Sequence, residues 1–104
     1  MIITTTDSIP NREITILLGI ARGSTVRSKN TFRDFLAGLK NVIGGEIEEY
    51  TKLQAQSREQ AIYRMVQDAT RLQADAIVNV RFTTSQVMQG AAEMLAYGTA
   101  VKFE

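Results

Sequence analysis

The sequence predicts an α+β fold in which an antiparallel sheet carries two helices on one face. Three observations support this fold. Apolar and small residues alternate through 13–25, 76–83 and 91–103, apolar residues recur at helical spacing through two segments between them, and the chain has only 104 residues. A chain of this length forms one domain with one core, here residues 1–104. The order strand, strand, helix, helix, strand, strand is typical of a two-layer arrangement.

The N-terminal third is predicted to form two strands joined by a turn. Residues 2–6 are mostly β-branched and predict an edge strand. Pro10 and its neighbours predict a turn at 7–11. Both alternating faces of the second strand, 13–25, are largely apolar or small, so we expect this strand to be covered on both sides. One face would carry Ile14, Ile16, Leu18 and Ile20, and the other Thr15, Leu17, Gly19 and Ala21.

Two amphipathic helices are predicted in the middle of the chain. The first begins near Asn30, a good N-cap residue, and ends at the Gly44-Gly45 pair. The second runs from about Glu48 to Gln73. Its apolar stripe consists of Tyr50, Leu53, Ala61, Ile62, Met65, Val66, Ala69 and Leu72.

The C-terminal third is predicted to be a pair of strands. The first begins at Ala76, and the polar segment 84–90 is predicted to connect it to the last strand, 91–103. The last strand has a bulky face and a face of small residues, the latter comprising Ala92, Ala96, Gly98 and Ala100. A run of small residues lets another element approach closely, and that element is either a helix or a neighbouring subunit.

Composition excludes several kinds of chemistry. The chain has no cysteine and no histidine, so it has no disulfide, no thiolate or imidazole metal ligand and no histidine general base. The net charge is only +1, which gives no general attraction to nucleic acid or to an anionic membrane. The N-terminus lacks the features of a secretory signal, and no apolar run approaches the roughly 20 residues that span a bilayer. We therefore expect a cytoplasmic protein.

Four segments, in order along nearly the whole chain, resemble the YbjQ-like family, which carries a heavy-metal-binding label. They are Asn30–Tyr50, Arg58–Ala61, Ala74–Val80 and Tyr97–Val101. The sequence departs from the family pattern at Ser57, where alanine is usual, and at Gln73, where glycine is usual. The resemblance implies a dodecin-like subunit that assembles into a ring, expected to be a pentamer, and it implies no established activity.

Three carboxylates at the start of the second predicted helix are candidate metal ligands. Glu46, Glu48 and Glu49 follow the double glycine and offer the oxygen donors that Ca²⁺ or Mg²⁺ prefers. Acidic residues at a helix N-terminus also complement the helix dipole, and that explanation needs no ligand, so we favour it. Soft metals prefer thiolate and imidazole, which this chain lacks.

Two further sets of polar residues have an ordinary and a functional interpretation. The basic set Arg22, Arg27, Lys29, Arg33 and Lys40 is either a solvated surface, which we favour, or an anion site beside a helix start. Asp75 is interpreted as a turn cap. We predict an interface between subunits from Asn79, Arg81, Ala96, Gly98 and Ala100.

These observations favour a non-catalytic protein whose main property is homo-oligomeric ring assembly, with any small ligand held between subunits. No catalytic motif is present, and the serines and threonines have no histidine to activate them. The alternative is a metal-ion-binding protein that uses carboxylate ligands. No other cofactor is indicated.

Overall fold

The computed structural model describes residues 1–27, 46–89 and 91–104, without the side chains of 27 and 46–53. These residues form an α+β unit with a four-stranded sheet and a helix. The elements are β1 (Ile2–Ile3), β2 (Ile14–Arg27), α1 (Glu46–Arg71), β3 (Ala76–Met88) and β4 (Ala91–Phe103). The first predicted helix, from Asn30 to the double glycine, lies outside the described residues.

The sheet is mixed, with the strand order β1-β3-β4-β2. β4 pairs antiparallel with β2 on one side and with β3 on the other, whereas β1 runs parallel to β3 with Ile2 opposite Ala76. The prediction of a wholly antiparallel sheet is therefore wrong for β1. β1 and β3 are far apart in sequence, and alternation of side chains does not specify the direction in which such a strand is added.

The hairpin formed by β3 and β4 is longer than predicted. β3 continues to Met88, so most of the segment expected to be a loop is paired with β4, for example Ser85 opposite Glu93. The polarity of Thr84–Gln86 suggested a loop, but threonine favours strands and these residues are exposed, so polarity does not oppose pairing. The bounds of β4 agree with the prediction.

The core lies between α1 and one face of the sheet. Ala61, Met65 and Ala69 of α1 are fully buried against a cluster that includes Ala96 and Ala100 of β4. This confirms the C-terminal half of the predicted apolar stripe. The small residues of β4 face α1, which is one of the two alternatives that the sequence left open. A second cluster on the opposite face of the sheet is covered by the segment after β1 and consists of Ala76, Val78, Val101, Ile9, Ile14 and Phe103.

α1 approaches β2 to backbone contact at Gly23. A Cβ atom on Gly23 would overlap the backbone of α1, including the carbonyl carbon of Arg64 at 2.6 Å and the carbonyl oxygen of Ala61. Nearby, the hydroxyl of Thr25 donates to the carbonyl of Ser57 over 3.0 Å, and both residues are buried. The absence of a side chain at position 23 therefore sets the distance between helix and sheet.

The end of α1 is a Schellman motif centred on Gln73. The Gln73 amide donates to the carbonyl of Thr70 over 2.9 Å, and the Ala74 amide donates to the carbonyl of Ala69 over 3.0 Å. Gln73 has a φ of 64°, the left-handed conformation that glycine usually supplies in this motif. Glycine is usual at the equivalent position in the family because it adopts this left-handed conformation without a steric penalty.

Candidate functional site

The outer edge of β2 lies beside apolar side chains that no other described residue of the chain covers. β2 is the last strand in the sheet order, and Leu17 and Ile20 are 73% and 70% exposed. They lie opposite Val101 and Thr99 of β4, so both point to the face of the sheet away from α1. Among residues 1–27, 46–89 and 91–104, nothing covers this second face of β2 at Leu17 and Ile20, so the prediction that β2 is covered on both sides stays a prediction.

A bulge in β2 is the reason that the predicted faces of this strand fail. The register with β4 shifts between Leu17 and Gly19, and Gly19 has a φ of 120°. The extra residue changes the phase of alternation, so that Leu18 and Ala21 both pack against the helix-side core. A glycine inside a strand pattern is a signal of such a bulge.

No residue type that usually protects a strand edge occurs in the first half of β2. The seven residues Ile14–Ile20 include neither a charged residue nor a proline. Natural proteins commonly protect free edges with lysine, proline or a covering segment, because unpaired backbone groups bind other strands. Within residues 1–27, 46–89 and 91–104, no strand pairs with this outer edge of β2.

The next part of the β2 edge, Arg22–Ser24, is covered by side chains of α1. The Arg22 amide donates to Oδ2 of Asp68 over 3.1 Å, and Nη1 of Arg64 donates to the carbonyl of Ser24 over 2.6 Å. Asp68 also accepts from Arg71 over 2.6 Å. The two helix side chains therefore replace a neighbouring strand at Arg22–Ser24, and the unprotected stretch ends there.

The hydrogen bonds that Asp68 accepts lower the pKa of its carboxyl group. The side-chain hydrogen bond from Arg71 and then the backbone hydrogen bond from Arg22 hold its pKa below the ordinary value of 3.8. The carboxylate form is therefore favoured in the folded chain, because both donors bind the charged form.

A surface groove of about 490 Å³ lies at the covered part of the edge. Its lining includes Arg22 and Ser24 of β2, Arg64 of α1, and Glu93 and Leu95 of β4. Among the described residues, neither the guanidinium of Arg22 nor the carboxylate of Glu93 has a hydrogen-bond or ion-pair partner. The groove has the volume of a small-molecule site, with two cationic groups, one anionic group and one apolar side chain.

A second unpaired edge belongs to β3. β1 pairs only with the start of β3, at Ala76 and Ile77. The amides of Asn79 and Val80, farther along β3, donate to the segment after β1, and these are the last backbone bonds between the N-terminal segment and β3. In the described part of the chain, nothing pairs with this side of β3 from Phe82 to Met88. Those seven residues also contain no charge and no proline, and Val87 and Met88 are 51% and 67% exposed.

Two of the predicted interface residues hold the N-terminal segment in place. Asn79 has a φ of 54° at a bulge of β3, and its amide donates to the carbonyl of Thr6 over 2.9 Å. Arg81 is exposed and donates to the carbonyl of Thr5 over 3.0 Å, so carbonyls rather than an acidic side chain satisfy it. The interface role of both residues stays a prediction.

The other three predicted interface residues lie inside the subunit. Ala96 and Ala100 are fully buried under α1. Gly98 faces the bulge of β3, where a Cβ atom would lie 2.6 Å from Cγ2 of Ile77. These three residues therefore already contact elements of their own chain, and their interface role stays a prediction.

The remaining candidate residues lie at helix and strand ends or outside the described part. Glu46, Glu48 and Glu49 are at the first turn of α1, but their side chains are not described. Elsewhere in the described part, no three acidic residues come together as a metal site. Of the basic set, only the Arg22 side chain is described, and it lines the groove. The Asp75 side chain accepts the amide of Phe103 at the end of β4 over 2.9 Å, so it joins β4 to the start of β3, and the predicted turn-capping role stays a prediction.

Sequence comparison assigns the family. A family model with the description "Putative heavy-metal-binding" matches residues 1–104. The chain belongs to this YbjQ-like family. It is 59% identical over 102 residues to a "UPF0145 protein" of Archaeoglobus fulgidus, an alignment covering 98% of this chain and 94% of the relative. It is 60% identical to a "UPF0145 protein" of Methanosarcina acetivorans, with 98% and 96% of the two chains covered. These names state no reaction.

Structure comparison supports the fold. A crystal structure of a protein of unknown function from the DUF74 family of Pediococcus pentosaceus has a TM-score of 0.64 to this YbjQ-like chain. The match covers 100% of this chain and 98% of that one, at 17% sequence identity. At that identity the likeness concerns the fold alone. Among the described residues, no helix is long and apolar enough to cross a bilayer.

Proposed function

We propose that this protein is a cytoplasmic, non-catalytic homo-oligomer, built from dodecin-like subunits that close into a ring. The observation that carries the proposal is the pair of apolar side chains, Leu17 and Ile20, exposed beside an uncharged free strand edge. An edge of this kind usually has a partner in a stable soluble protein. The ring size of five rests on the family resemblance alone.

Burial of these two side chains supplies part of the free energy that association requires, since association also has to offset roughly 4–15 kcal/mol of lost translational and rotational freedom. Burial of an exposed leucine or isoleucine contributes about 1.5–3 kcal/mol. Covering Leu17 and Ile20, which are 73% and 70% exposed, therefore supplies roughly 2–4 kcal/mol per interface before any backbone hydrogen bond is counted. A change of 1.4 kcal/mol alters a dissociation constant about tenfold.

The test is the mass of charge-bearing variants at several protein concentrations, measured by light scattering after gel filtration. Leu17→Lys together with Ile20→Lys should weaken association by about a hundredfold or more. Tyr63→Lys is the matched control, because Tyr63 is also an exposed large side chain, at 62%, but lies on α1. An oligomer that survives the double change, or that is lost equally in the control, would contradict the proposal.

A second candidate property is binding of a small organic anion in the groove at Arg22. The carrying observation is that the guanidinium of Arg22, beside Arg64, and the carboxylate of Glu93 line one groove, and that neither has a hydrogen bond or ion pair among the described residues. Guanidinium groups suit carboxylate or phosphate, and Glu93 accepts from a hydroxyl or amine. The groove lies at the β2 edge, so a ligand there would be next to a neighbouring subunit.

Binding is tested by titrating isotope-labelled protein with inorganic phosphate and, separately, with glutamate. Amide signals of Arg22–Ser24 and the side-chain signal of Arg64 should shift, and Arg22→Gln should weaken the response. Lys102→Gln removes a positive charge from β4 outside the groove and should leave it unchanged. Equal responses in both variants would show only general charge attraction.

Metal binding remains the alternative function, through Glu46, Glu48 and Glu49. Its support is the acidic sequence at the start of α1 and the description of the family model. Calorimetric titration with Ca²⁺, Mg²⁺, Zn²⁺ and Cu²⁺ tests it. Absence of heat, or equal heat after the three glutamates are changed to glutamine, would reject this set as the ligands.

A further inference from the structure

The groove beside Arg22 opens on the face of the sheet away from α1. Gly23 contacts the backbone of α1, so Arg22 and Ser24, the residues on either side of it, point to the opposite face. Leu95 lies opposite Ser24 on β4, and its neighbour Ala96 is buried under α1. Cross-strand neighbours share a face, so the side chain of Leu95 lines the groove from this outer face.

The charged groups of the groove follow one another along the strands. The guanidinium of Arg64 is fixed at the level of Ser24, because its Nη1 donates to the Ser24 carbonyl over 2.6 Å. Arg22 lies on one side of this level, and Glu93, which is opposite Val26, lies on the other. The order along the groove is therefore Arg22, Arg64 and then Glu93, with both cations toward one end.

The opposite charges of the groove do not neutralise each other. Within the described part of the chain, neither Arg22 nor Arg64 forms an ion pair with Glu93, although Glu93 is half-buried. The levels of Arg64 and Glu93 are two residues apart along β2, which corresponds to roughly 7 Å. The groove thus has a cationic end and an anionic end, separated by a gap that a small molecule can bridge.

We infer that the ligand of this groove is a dipolar small molecule, with a carboxylate or phosphate at one end, an ammonium at the other and a short apolar chain between them. This inference rests on the anion site proposed above and names its ligand class. The two guanidiniums bind the anionic group, whose oxygens match their N–H donors. Glu93 accepts from the ammonium, and the apolar chain packs on Leu95.

The charges of the groove disfavour simpler ligands. A molecule with an anionic group at each end places one of them against Glu93. A simple amine pairs with Glu93 but leaves both guanidiniums without a partner and is repelled by them. A simple anion leaves the carboxylate of Glu93 unpaired beside it. A ligand that carries both charges pairs all the ionic groups of the groove, which is the complementarity that gives specificity.

The test compares 4-aminobutanoate with butanoate, which lacks only the amine. Each is titrated into the isotope-labelled full chain, and the shifts of the Arg22–Ser24 amides give the dissociation constants. 4-Aminobutanoate should bind about fivefold more tightly, the gain expected from one ion pair to a partly exposed carboxylate. Glycine is too short to reach both ends and should show no such gain. 3-Aminopropylphosphonate and propylphosphonate repeat the comparison with a phosphate-like group and identify which anion the guanidiniums prefer.

The variant Glu93→Gln assigns the gain to one side chain. It should bind 4-aminobutanoate about fivefold more weakly than the unchanged protein does, and butanoate at least as tightly, because a repulsive charge is gone. Glu104→Gln is the matched control. It makes the same chemical change next to Phe103, which is opposite Ile14 at the other end of the β2–β4 pairing, and should leave the gain intact.

The outcomes distinguish the dipolar ligand from the anion site on which it rests. Equal affinity of the unchanged protein for 4-aminobutanoate and butanoate, or a gain that survives in Glu93→Gln, overturns the inference and leaves the anion site standing. No shift at Arg22–Ser24 with any of the probes at tens of millimolar overturns the anion site and the inference together.

Discussion

Replacing Gln73 by glycine should stabilise the protein, because the folded chain holds this residue in a left-handed conformation. Its φ is 64°, and the Schellman bonds from Gln73 and Ala74 fix it there. That conformation costs an ordinary L-residue about 1–2 kcal/mol. Glycine avoids this cost but loses about 0.5–1 kcal/mol more backbone entropy on folding. The difference leaves a gain of about 0.5–1 kcal/mol for Gln73→Gly.

Gln60→Gly provides a control with the same chemical change and the opposite expected sign. Gln60 is exposed in the interior of α1, where glycine is unfavourable by about 1 kcal/mol. Urea unfolding of both variants at one fixed subunit concentration measures the two changes, and fixed concentration is needed because association contributes to stability. Gln73→Ala should show no comparable gain, since alanine also resists a positive φ.

The reasoning would be refuted if Gln73→Gly were neutral or destabilising while Gln60→Gly lost about 1 kcal/mol. That result would mean that the folded chain does not hold residue 73 in the left-handed region. Equal losses in both variants would mean that position 73 behaves as an ordinary helical position.

Three further predictions concern the contacts that position the sheet edge. Gly23→Ala should lower the free energy of unfolding by about 3 kcal/mol, because the new methyl group would overlap the backbone of α1. Urea unfolding measures this change, and a decrease of less than about 1 kcal/mol would contradict the close approach of helix and strand. The lowered pKa of Asp68 means that its contribution to stability is fully present above about pH 4 and is lost as pH falls through the still lower folded pKa. Asp68→Asn should therefore destabilise near neutral pH and have a smaller effect at pH 2, whereas a pH-independent effect would argue against the charged contact. Arg81→Ala should weaken the attachment of the N-terminal segment by about 1 kcal/mol, because the hydrogen bond to the carbonyl of Thr5 is lost. The amides of Thr4 and Thr6 should then exchange faster with solvent. Unchanged exchange at these two amides would show that the bond is not needed.

Sequence reasoning predicted the parts of the fold that repeat regularly. The stripe Ala61, Met65 and Ala69 and the small-residue face of β4 follow strict periods, so each could be predicted as a packing surface, but the sequence did not decide whether the small face meets a helix or another subunit. The bounds of β4 and the start of β3 were predicted for the same reason.

The errors occur where a single residue interrupts a period. The bulge at Leu18 and Gly19 shifts the alternation of β2, so Leu17 and Ile20 share a face and no other described residue covers them. The parallel pairing of β1 with Ala76 and Ile77 joins segments far apart in sequence, and no alternating pattern encodes its direction. Gly19 was an available signal for the bulge in β2, since glycine within a strand pattern marks a bulge.

The candidate site was only partly accessible from sequence. Arg22 belonged to the predicted basic set, but its place in one groove with Arg64 and Glu93 depends on how α1 crosses the β2 edge. The helical pattern alone does not distinguish Asp68 and Arg64 from other charged residues of α1. Their role as covers for the backbone of β2 becomes evident only when the helix and the strand are seen together.

The most direct test of the central claim is native mass spectrometry of the unmodified protein, purified without chelator and without metal-affinity resin. The account predicts one closed assembly whose mass is a whole multiple of the 11.5 kDa subunit, five according to the family resemblance. A reproducible excess mass on that assembly would identify the ligand of the groove or a bound metal. A bare monomer at tens of micromolar protein would contradict the claim that Leu17 and Ile20, beside the edge of β2, are covered by another copy of the chain.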